Sequence, residues 1–470
     1  MAKQPAPAVA IVGAGFSGTL LALHLLEVGP PDLRILLVER TPGFGPGLAY
    51  AAHNPLHLLN VRVGNMSAWP DRPRHLEQWL AGEGGGEGAD PAAFITRGTY
   101  GRYLASMLRA AVGGAEGARR LVLVPDEVVG LERRPGGLRL SLAMGRTLDV
   151  DAAVLAVGNL PPAPAPGVAA VGLPAEVYAP DPWAADALDG LDEAAPILLL
   201  GTGLTMVDVS LALDARGHRG PILALSRRGL APHRHSGFFP IPAGEATATA
   251  MPLSQRLRRL RRRADEIGWR SAVDELRPAA QAIWRAADMA QRKRFLRHLR
   301  PWWDIHRHRM APVVADRIDA LRGERRLVLA AGRIVDVRPG GAGAIVTWRP
   351  RGERRLERVE VARIVNCTGP AGDPTQTGDP LLRRLLDQGR ARVDRLGLGL
   401  DVDAQGRLID AEGQADPRLY AVGPITKGAA WEIIAVPDIR NQVADLARRL
   451  GGQLAGPGLR QAAVSDVDGA

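Results

Sequence analysis

Two glycine clusters, each followed at a fixed distance by charge, are the residues of this chain best suited to chemistry. The first stretch reads Val9-Ala10-Ile11-Val12-Gly13-Ala14-Gly15-Phe16-Ser17-Gly18 and reaches Glu39-Arg40 at the end of a second apolar run. Gly13 permits a tight turn, Gly15 lets a pyrophosphate approach the backbone, and Gly18 lets the next helix pack on the strand. Free N–H groups where Phe16 and Ser17 open that helix turn its positive end toward phosphates. Glu39 lies 26 residues after Gly13. An acid at that place accepts hydrogen bonds from the ribose hydroxyls of an adenosine and repels a 2′-phosphate. The first stretch therefore suits FAD or NAD rather than NADP.

The second stretch repeats the layout. Ile197 to Leu200 runs into Gly201-Thr202-Gly203-Leu204-Thr205-Met206, a helix follows, and Ile222 to Ser226 leads to Arg227-Arg228. Arg227 also lies 26 residues after its first glycine, Gly201. The spacing puts an arginine pair where the first copy has an acid, and a guanidinium fork matches a 2′-phosphate. The first copy thus reads as a site for FAD and the second as a site for NADPH. Met206 stands where a third glycine would be, which pushes the second helix outward.

The surrounding elements must hold these turns. Leu20 to Val28 keeps the first helix apolar until Gly29 stops it. Thr41 to Tyr50 is rich in Pro and Gly, a loop built for close approach, with Gly47 and Leu48 in it. The run Ala81 to Asp90 is rich in Gly and Glu, and a helix is expected over Tyr100 to Val112. Short strands fill Leu121 to Val157, closed by Gly158, and a linker follows over Pro161 to Pro166. Residues 240–325 read as a basic helical insertion or lid with four tryptophans. Leu327 to Val365 is a meander that ends at Gly369. A final strand ends at Gly423-Pro424, a last helix spans Trp431 to Leu450, and a loose tail follows Gly451. The fold class is α/β, with two Rossmann-like dinucleotide-binding domains, the FAD domain discontinuous, and a helical insertion. The expected domains are 1–165 and 326–450 for FAD and 166–325 for NADPH, with a tail over 451–470.

Composition narrows the functions. The 470 residues are 46% apolar and carry a formal net charge of +10. Nearly all the positive charge is arginine spread along the chain, with lysine only at Lys3, Lys293 and Lys427. The one dense cluster, Arg256 to Arg263, reads as the wet face of a helix, and no aromatic residues are interleaved as stacking platforms. Nucleic acid is not an expected partner. A single cysteine, Cys367, rules out an intrachain redox pair. There is no signal-peptide layout and no apolar run that would span a bilayer, so no membrane is expected and a cytoplasmic location is. His233, His235, His306 and His308 read as a basic, partly solvated surface rather than metal ligands, and no metal is expected. An alternative is that Arg234, His235 and His306 face an acidic substrate.

The chain resembles the class B flavin-dependent monooxygenases, and more closely a bacterial family described as FAD-dependent oxidoreductases. The residues that carry this are Gly13 to Ala22, Gly47-Leu48-Ala49-Tyr50, Leu58-Leu59-Asn60-Val61, Gly201 to Asp208 and Trp431 to Arg440. The resemblance implies that an asparagine lies near the reactive flavin carbon, a role that falls on Asn60 with Asn65 as its rival. It adds Gly158, Gly369, Gly423, Pro424 and Trp431 to the cofactor-binding residues. Tyr178 to Trp183 stands in the place of that family's fingerprint with different residues. The expected function is an FAD- and NADPH-dependent monooxygenase. It would pass one oxygen atom from a C4a-(hydro)peroxyflavin to a small amine or amino acid, with O2 as co-substrate. The alternatives are an NADPH-dependent flavin reductase or electron-transfer flavoprotein, and a binding protein without turnover. A homodimer stays open.

Overall fold

The computed structural model describes residues 6–51, 54, 56–83, 90–165, 167–168, 171–237, 251–341 and 343–456. The chain divides into two compact units, one of residues 1–53, 61–160 and 372–470, the other of residues 54–60 and 161–371.

The first unit is built on a six-stranded sheet. Its strands stand in the order Arg407–Ile409, Ala415–Ala421, Ala152–Leu155, Ala8–Val12, Arg34–Glu39, Leu121–Pro125. All neighbours are parallel except the first pair. A parallel sheet is covered on both faces, so its central strand has no polar side: Val9, Ala10 and Ile11 are fully buried. Helix Phe16–Val28 follows, apolar all round and buried from Phe16 to Leu25. Its last carbonyls are not left orphaned. The buried Arg120 guanidinium donates to Leu25 O at 3.2 Å, Leu26 O at 3.0 Å and Gly29 O at 3.4 Å. The closing helix lies so near that a Cβ on Gly451 would stand 2.9 Å from Val28 O. A three-stranded antiparallel sheet, Val128–Arg134, Gly137–Leu142 and Thr147–Val150, completes the unit.

The second unit carries a seven-stranded sheet in the order Glu357–Val361, Gly343–Pro350, Leu327–Gly340, Ile222–Ser226, Ile197–Leu200, Arg363–Asn366, Tyr178–Ala179. Strand Leu327–Gly340 has two halves. Leu327 to Ala331 runs parallel to Ile222–Ser226, and Gly332 to Gly340 pairs antiparallel with Gly343–Pro350. Between Ser226 and Leu327 the described chain forms helices at Leu253–Ile267, Trp269–Leu276, Ala280–Ala286, Met289–Arg294, Arg300–Arg307 and Pro312–Gly323.

Several expectations shift. The meander does not return to the first unit: the second unit continues to Ala371 instead of ending at 325, because Leu327–Gly340 joins its sheet. The helix expected over Tyr100 to Val112 is longer, Arg97–Gly113, and Thr96 caps it by accepting Thr99 N–H. The last helix is Val436–Ala455, later than expected, because Pro437 fits only its first turn. Within the arginine cluster Arg256 is buried, while Arg258, Arg259 and Arg261 to Arg263 form the wet face. Residues 84–89, 166, 240–250 and 457–470 lie outside the described residues.

The first helix also holds a pH-dependent group. His24 is 5% exposed, its ring stands 4.6 Å from that of Trp69, and burial pushes its pKa from 6.5 down to about 4. The unfolded chain binds this proton near 6.5 and the folded chain only near 4. The unfolded state therefore holds more protons in that window, and stability rises with pH across it. It is full above the upper value and falls toward the lower by roughly 3 kcal/mol. His24→Phe is expected to flatten this slope, as urea unfolding at neutral and acid pH would measure.

Candidate functional site

The first glycine turn is held by what surrounds it. Gly13 has φ +102°, and a Cβ there would stand 2.5 Å from Ala156 O, at the end of strand Ala152–Leu155. Gly158, with φ +73°, turns the chain just beyond. A Cβ on Gly18 would stand 1.8 Å from Gly13 O, so strand and helix meet backbone to backbone there. Gly45 N–H donates to Ala14 O at 2.8 Å and brings the Pro/Gly loop onto the turn, where a Cβ on Gly47 would lie 2.7 Å from Gly15 Cα. Leu48, next to it, is 68% exposed. From the C-terminal segment, Gly423 has φ +77° and would place a Cβ 2.5 Å from Ser17 Oγ. Pro424 follows in a short 3₁₀ turn. These glycines leave a backbone-lined cradle at the N-terminus of helix Phe16–Val28, a shape that fits a pyrophosphate.

The carboxylate at the strand end is fixed in place. Glu39 Oε2 accepts Ala14 N–H at 2.8 Å, and Oε1 accepts Thr41 N–H at 2.9 Å and Thr41 Oγ1–H at 2.8 Å. Arg40, expected to bind cofactor, is occupied elsewhere, 3.1 Å from both Glu127 and Asp379. Trp431 is buried under Lys427, whose Nζ lies 4.9 Å above its ring. Glu39→Gln turns one oxygen into a donor amid three donors. The expected result is a loss of about 1–3 kcal/mol in nucleotide affinity, read by flavin titration.

The second turn repeats the first with different chemistry. Gly201 has φ +112°, and its Cβ would stand 2.4 Å from Cys367 O, beyond strand Arg363–Asn366. Gly369, with φ +85°, then turns that chain. The strand ends before Gly158 and Gly369 therefore close one cradle each. Gly203 has open space where a Cβ would be, and Leu204 and Thr205 start helix Leu204–Ala215 half-buried. Met206 is fully buried.

Strand pairing corrects the spacing argument. Val12 pairs with Val38, but Leu200 pairs with Leu225, one residue earlier in the second copy. Ser226, not Arg227, is the counterpart of Glu39. Thr202 Oγ1 lies 2.9 Å from Ser226 Oγ, as Ala14 N lies close to the Glu39 carboxylate. Ser226 Oγ also accepts Gly229 N–H at 3.0 Å. Arg227 stands one residue further, exposed and without an ion pair among the described residues, whereas Arg228 Nη2 donates to Arg297 O at 3.4 Å. A hydroxyl followed by a free guanidinium presents no negative charge to a 2′-phosphate. The sequence reading missed Ser226 because the spacing was counted along the chain rather than across the sheet.

The two candidate asparagines fall in different units. Residues 54–60 cluster with the second unit, where His57 Nε2–H donates to Asp208 O at 3.1 Å and His235 Nε2–H to Asn60 O at 3.0 Å. Asn65 ends a 3₁₀ turn, Val63–Asn65, in the first unit. The histidine cluster is partly structural. The rings of His233, Trp269 and His306 stand 4.7–4.8 Å apart, and Arg270 and Arg309 lie over Trp269 at 4.3 and 5.1 Å. Arg234 pairs with Asp316. Among the described residues no three His, Cys, Asp or Glu side chains converge as metal ligands. Burial pushes the Cys367 thiol far up, away from thiolate chemistry. No helix among the described residues is long and apolar enough to cross a membrane.

Comparison with known proteins fits this geometry. The FAD-NAD(P)-binding family matches residues 10–160. Lycopene beta-cyclase of Paracoccus sp. is 32% identical over 97 residues, 19% of this chain and 25% of that protein. The L-aspartate N-monooxygenase (nitrosuccinate-forming) of Streptomyces cremeus is 36% identical over 169 residues, 32% of this chain and 24% of that protein. The chain thus spans about a quarter of the length of these relatives. The ornithine N-hydroxylase of Kutzneria sp. 744, in a complex with reduced FAD, NADP+ and L-ornithine, matches 96% of this chain and 100% of its own, with TM-score 0.66 and 16% identity. Residues 10–160 thus resemble an FAD-NAD(P)-binding domain, and the chain shares an α/β fold with that ornithine N-hydroxylase.

Proposed function

We propose that this protein is an FAD- and NADPH-dependent monooxygenase that adds one oxygen atom from O2 to a small amine or amino acid. The observation that carries the reading is the chemical difference between two cradles of one shape. The first presents the anchored Glu39 carboxylate, and the second presents the Ser226 hydroxyl and the free Arg227. The whole-chain likeness to an ornithine N-hydroxylase and the local likeness to an aspartate N-monooxygenase support an amine nitrogen as the oxygen acceptor.

Bound FAD, reduced by NADPH, supplies the activation of O2. The chain supplies placement. Glu39 accepts from the adenosine ribose and fixes one end of the flavin nucleotide. The bare backbone at Gly15 and Gly47 and the helix N-terminus at Phe16 and Ser17 hold its pyrophosphate. Leu204 and Thr205 open the equivalent helix for the nicotinamide nucleotide. Arg227 binds the 2′-phosphate, and the Asn60 amide offers a hydrogen bond at the reacting end. A single buried cysteine leaves no dithiol to take the electrons, which favours oxygen as acceptor.

The test is a screen of amines and amino acids under ¹⁸O₂ with mass detection. Product carrying one labelled oxygen per NADPH consumed is the expected result. Quinone or dye reduction without label in any product would replace this reading with the reductase one. Asn60→Ala is expected to lower labelled product roughly a hundredfold while NADPH oxidation continues into H2O2, and Asn65→Ala to leave product within about twofold. The reverse pattern would move the role to Asn65.

A further inference from the structure

The first unit gathers its aromatic residues into a file. Aromatic residues are only 4% of the chain, yet three of its five tyrosines and two of its nine tryptophans stand in ring contact here. The file begins at the glycine cradle. Tyr50 ends the short helix Gly47–Tyr50, and its ring lies 5.9 Å from Phe16, the residue after Gly15. Tyr50 to Tyr100 is 4.8 Å, Tyr100 to Tyr103 is 5.6 Å, and Tyr103 to Trp79 is 5.5 Å, centroid to centroid. A side branch runs from Tyr103 to His75 at 5.6 Å and on to Trp69 at 6.3 Å. Tyr100 and Tyr103 are fully buried, and Trp79 is half-exposed, so the file leads from the cradle to the surface.

Packing alone does not call for these residues. Phenylalanine would fill the same space without a hydroxyl to satisfy in the core. Each buried hydroxyl is in fact tied down: Tyr100 Oη–H donates to Met66 O at 3.0 Å, and Tyr103 Oη, which accepts Ala68 N–H at 3.3 Å, lies 2.7 Å from His75 Nδ1. The second bond matters chemically. A phenol gives up an electron easily only when its proton has somewhere to go, and an imidazole nitrogen is a base where a carbonyl is not. Burial and the nearby Arg72 hold His75 below its ordinary value, so at neutral pH it is uncharged and able to accept that proton.

We infer that Tyr50, Tyr100, Tyr103 and Trp79 form a relay that carries oxidising equivalents from the first cradle to the surface. The inference rests on that cradle holding flavin. The oxidant is photoexcited flavin, which takes one electron from Tyr50 and becomes the semiquinone. Tyr50 and Tyr100 keep their phenolic protons and exist only as transient cation radicals until the next ring outward refills them. When Tyr103 is oxidised its phenolic proton moves to His75 Nδ1, leaving a neutral tyrosyl radical and an imidazolium. An electron from Trp79 and return of the proton restore both. The tryptophanyl radical left at Trp79 is reduced by a solution thiol, which is oxidised to a thiyl radical and on to disulfide. The relay would remove a damaging oxidant before it attacks the cradle.

The experiment is a blue-light flash on the flavin-loaded protein, with flavin content measured first by absorbance. A tyrosyl radical followed by a tryptophanyl radical is expected, read by transient absorption and electron paramagnetic resonance. Tyr100→Phe keeps the ring and breaks the file, and should lower the tryptophanyl yield about tenfold at unchanged flavin content. Trp79→Phe should leave the tyrosyl signal and remove the tryptophanyl one. Equal tryptophanyl yields in the parent and Tyr100→Phe proteins would overturn the relay. A protein that takes up no flavin would defeat the reading of the cradle instead. The relay is then probed from outside by flash-quench oxidation with tris(bipyridine)ruthenium. There, a tyrosyl signal lost in Tyr103→Phe supports the relay, and no tyrosyl signal in the parent protein overturns it.

Discussion

Gly18→Ala is expected to cost the first unit about 3 kcal/mol and most of its bound flavin, at the upper end of what overpacking usually does. The added Cβ would stand 1.8 Å from Gly13 O, and that atom belongs to the turn itself. A flexible side chain could swing away, but a backbone carbonyl at the end of a buried strand cannot. Helix Phe16–Val28 must move off the sheet, and its N-terminal N–H groups move with it. The equivalent position in the second unit, Met206, makes the opposite demand. Its side chain is fully buried, so Met206→Gly should leave a cavity costing about 2–5 kcal/mol, with roughly 1 kcal/mol more for glycine inside a helix. Denaturant unfolding and flavin retention measure both. An alanine at 18 that keeps full flavin and parent stability would show that strand and helix are not pinned there.

The second expected result concerns cofactor choice. Arg227→Ala should weaken NADPH by about 1.5–3 kcal/mol, the value of a hydrogen bond to a charged group, which is roughly 10- to 150-fold in KM. NADH, which has no 2′-phosphate, should change little. Ser226→Glu should go further: it places a carboxylate at the position that Glu39 holds in the first copy, where it accepts from ribose and repels phosphate. The double variant should prefer NADH. Arg228→Ala should have a smaller effect, since that guanidinium donates to Arg297 O. Steady-state kinetics with both nucleotides checks the order. If Arg228→Ala changed the preference more than Arg227→Ala, the strand register would be assigned wrongly.

The glycine turns were legible in the residues themselves. A strand, a turn at positive φ and a helix are set by neighbours a few positions apart, so the turns at Gly13 and Gly201 and the close packing at Gly18 could be read. The flanking strands and the stop at Gly29 are equally local. The choice between an acid and a base at the end of the second strand was legible in kind, because Glu39 and Arg227 differ in charge wherever they point.

Other features depend on partners far away in the chain. Ser226 faces the turn because Leu225 pairs with Leu200, and pairing across a sheet cannot be counted along one strand. Arg40 is held by Asp379, 339 residues away, and so is not free for a nucleotide. The boundary at 371 follows from one strand being shared between a parallel and an antiparallel neighbour. The file of tyrosines joins Tyr50 on one helix to Tyr100 and Tyr103 on another and appears only when they pack. Chain chemistry thus determined where the two glycine cradles stand and which charge follows each. Tertiary packing decided which side chains meet them, because a hydrogen bond or a ring contact depends on distance in space and not on separation in sequence.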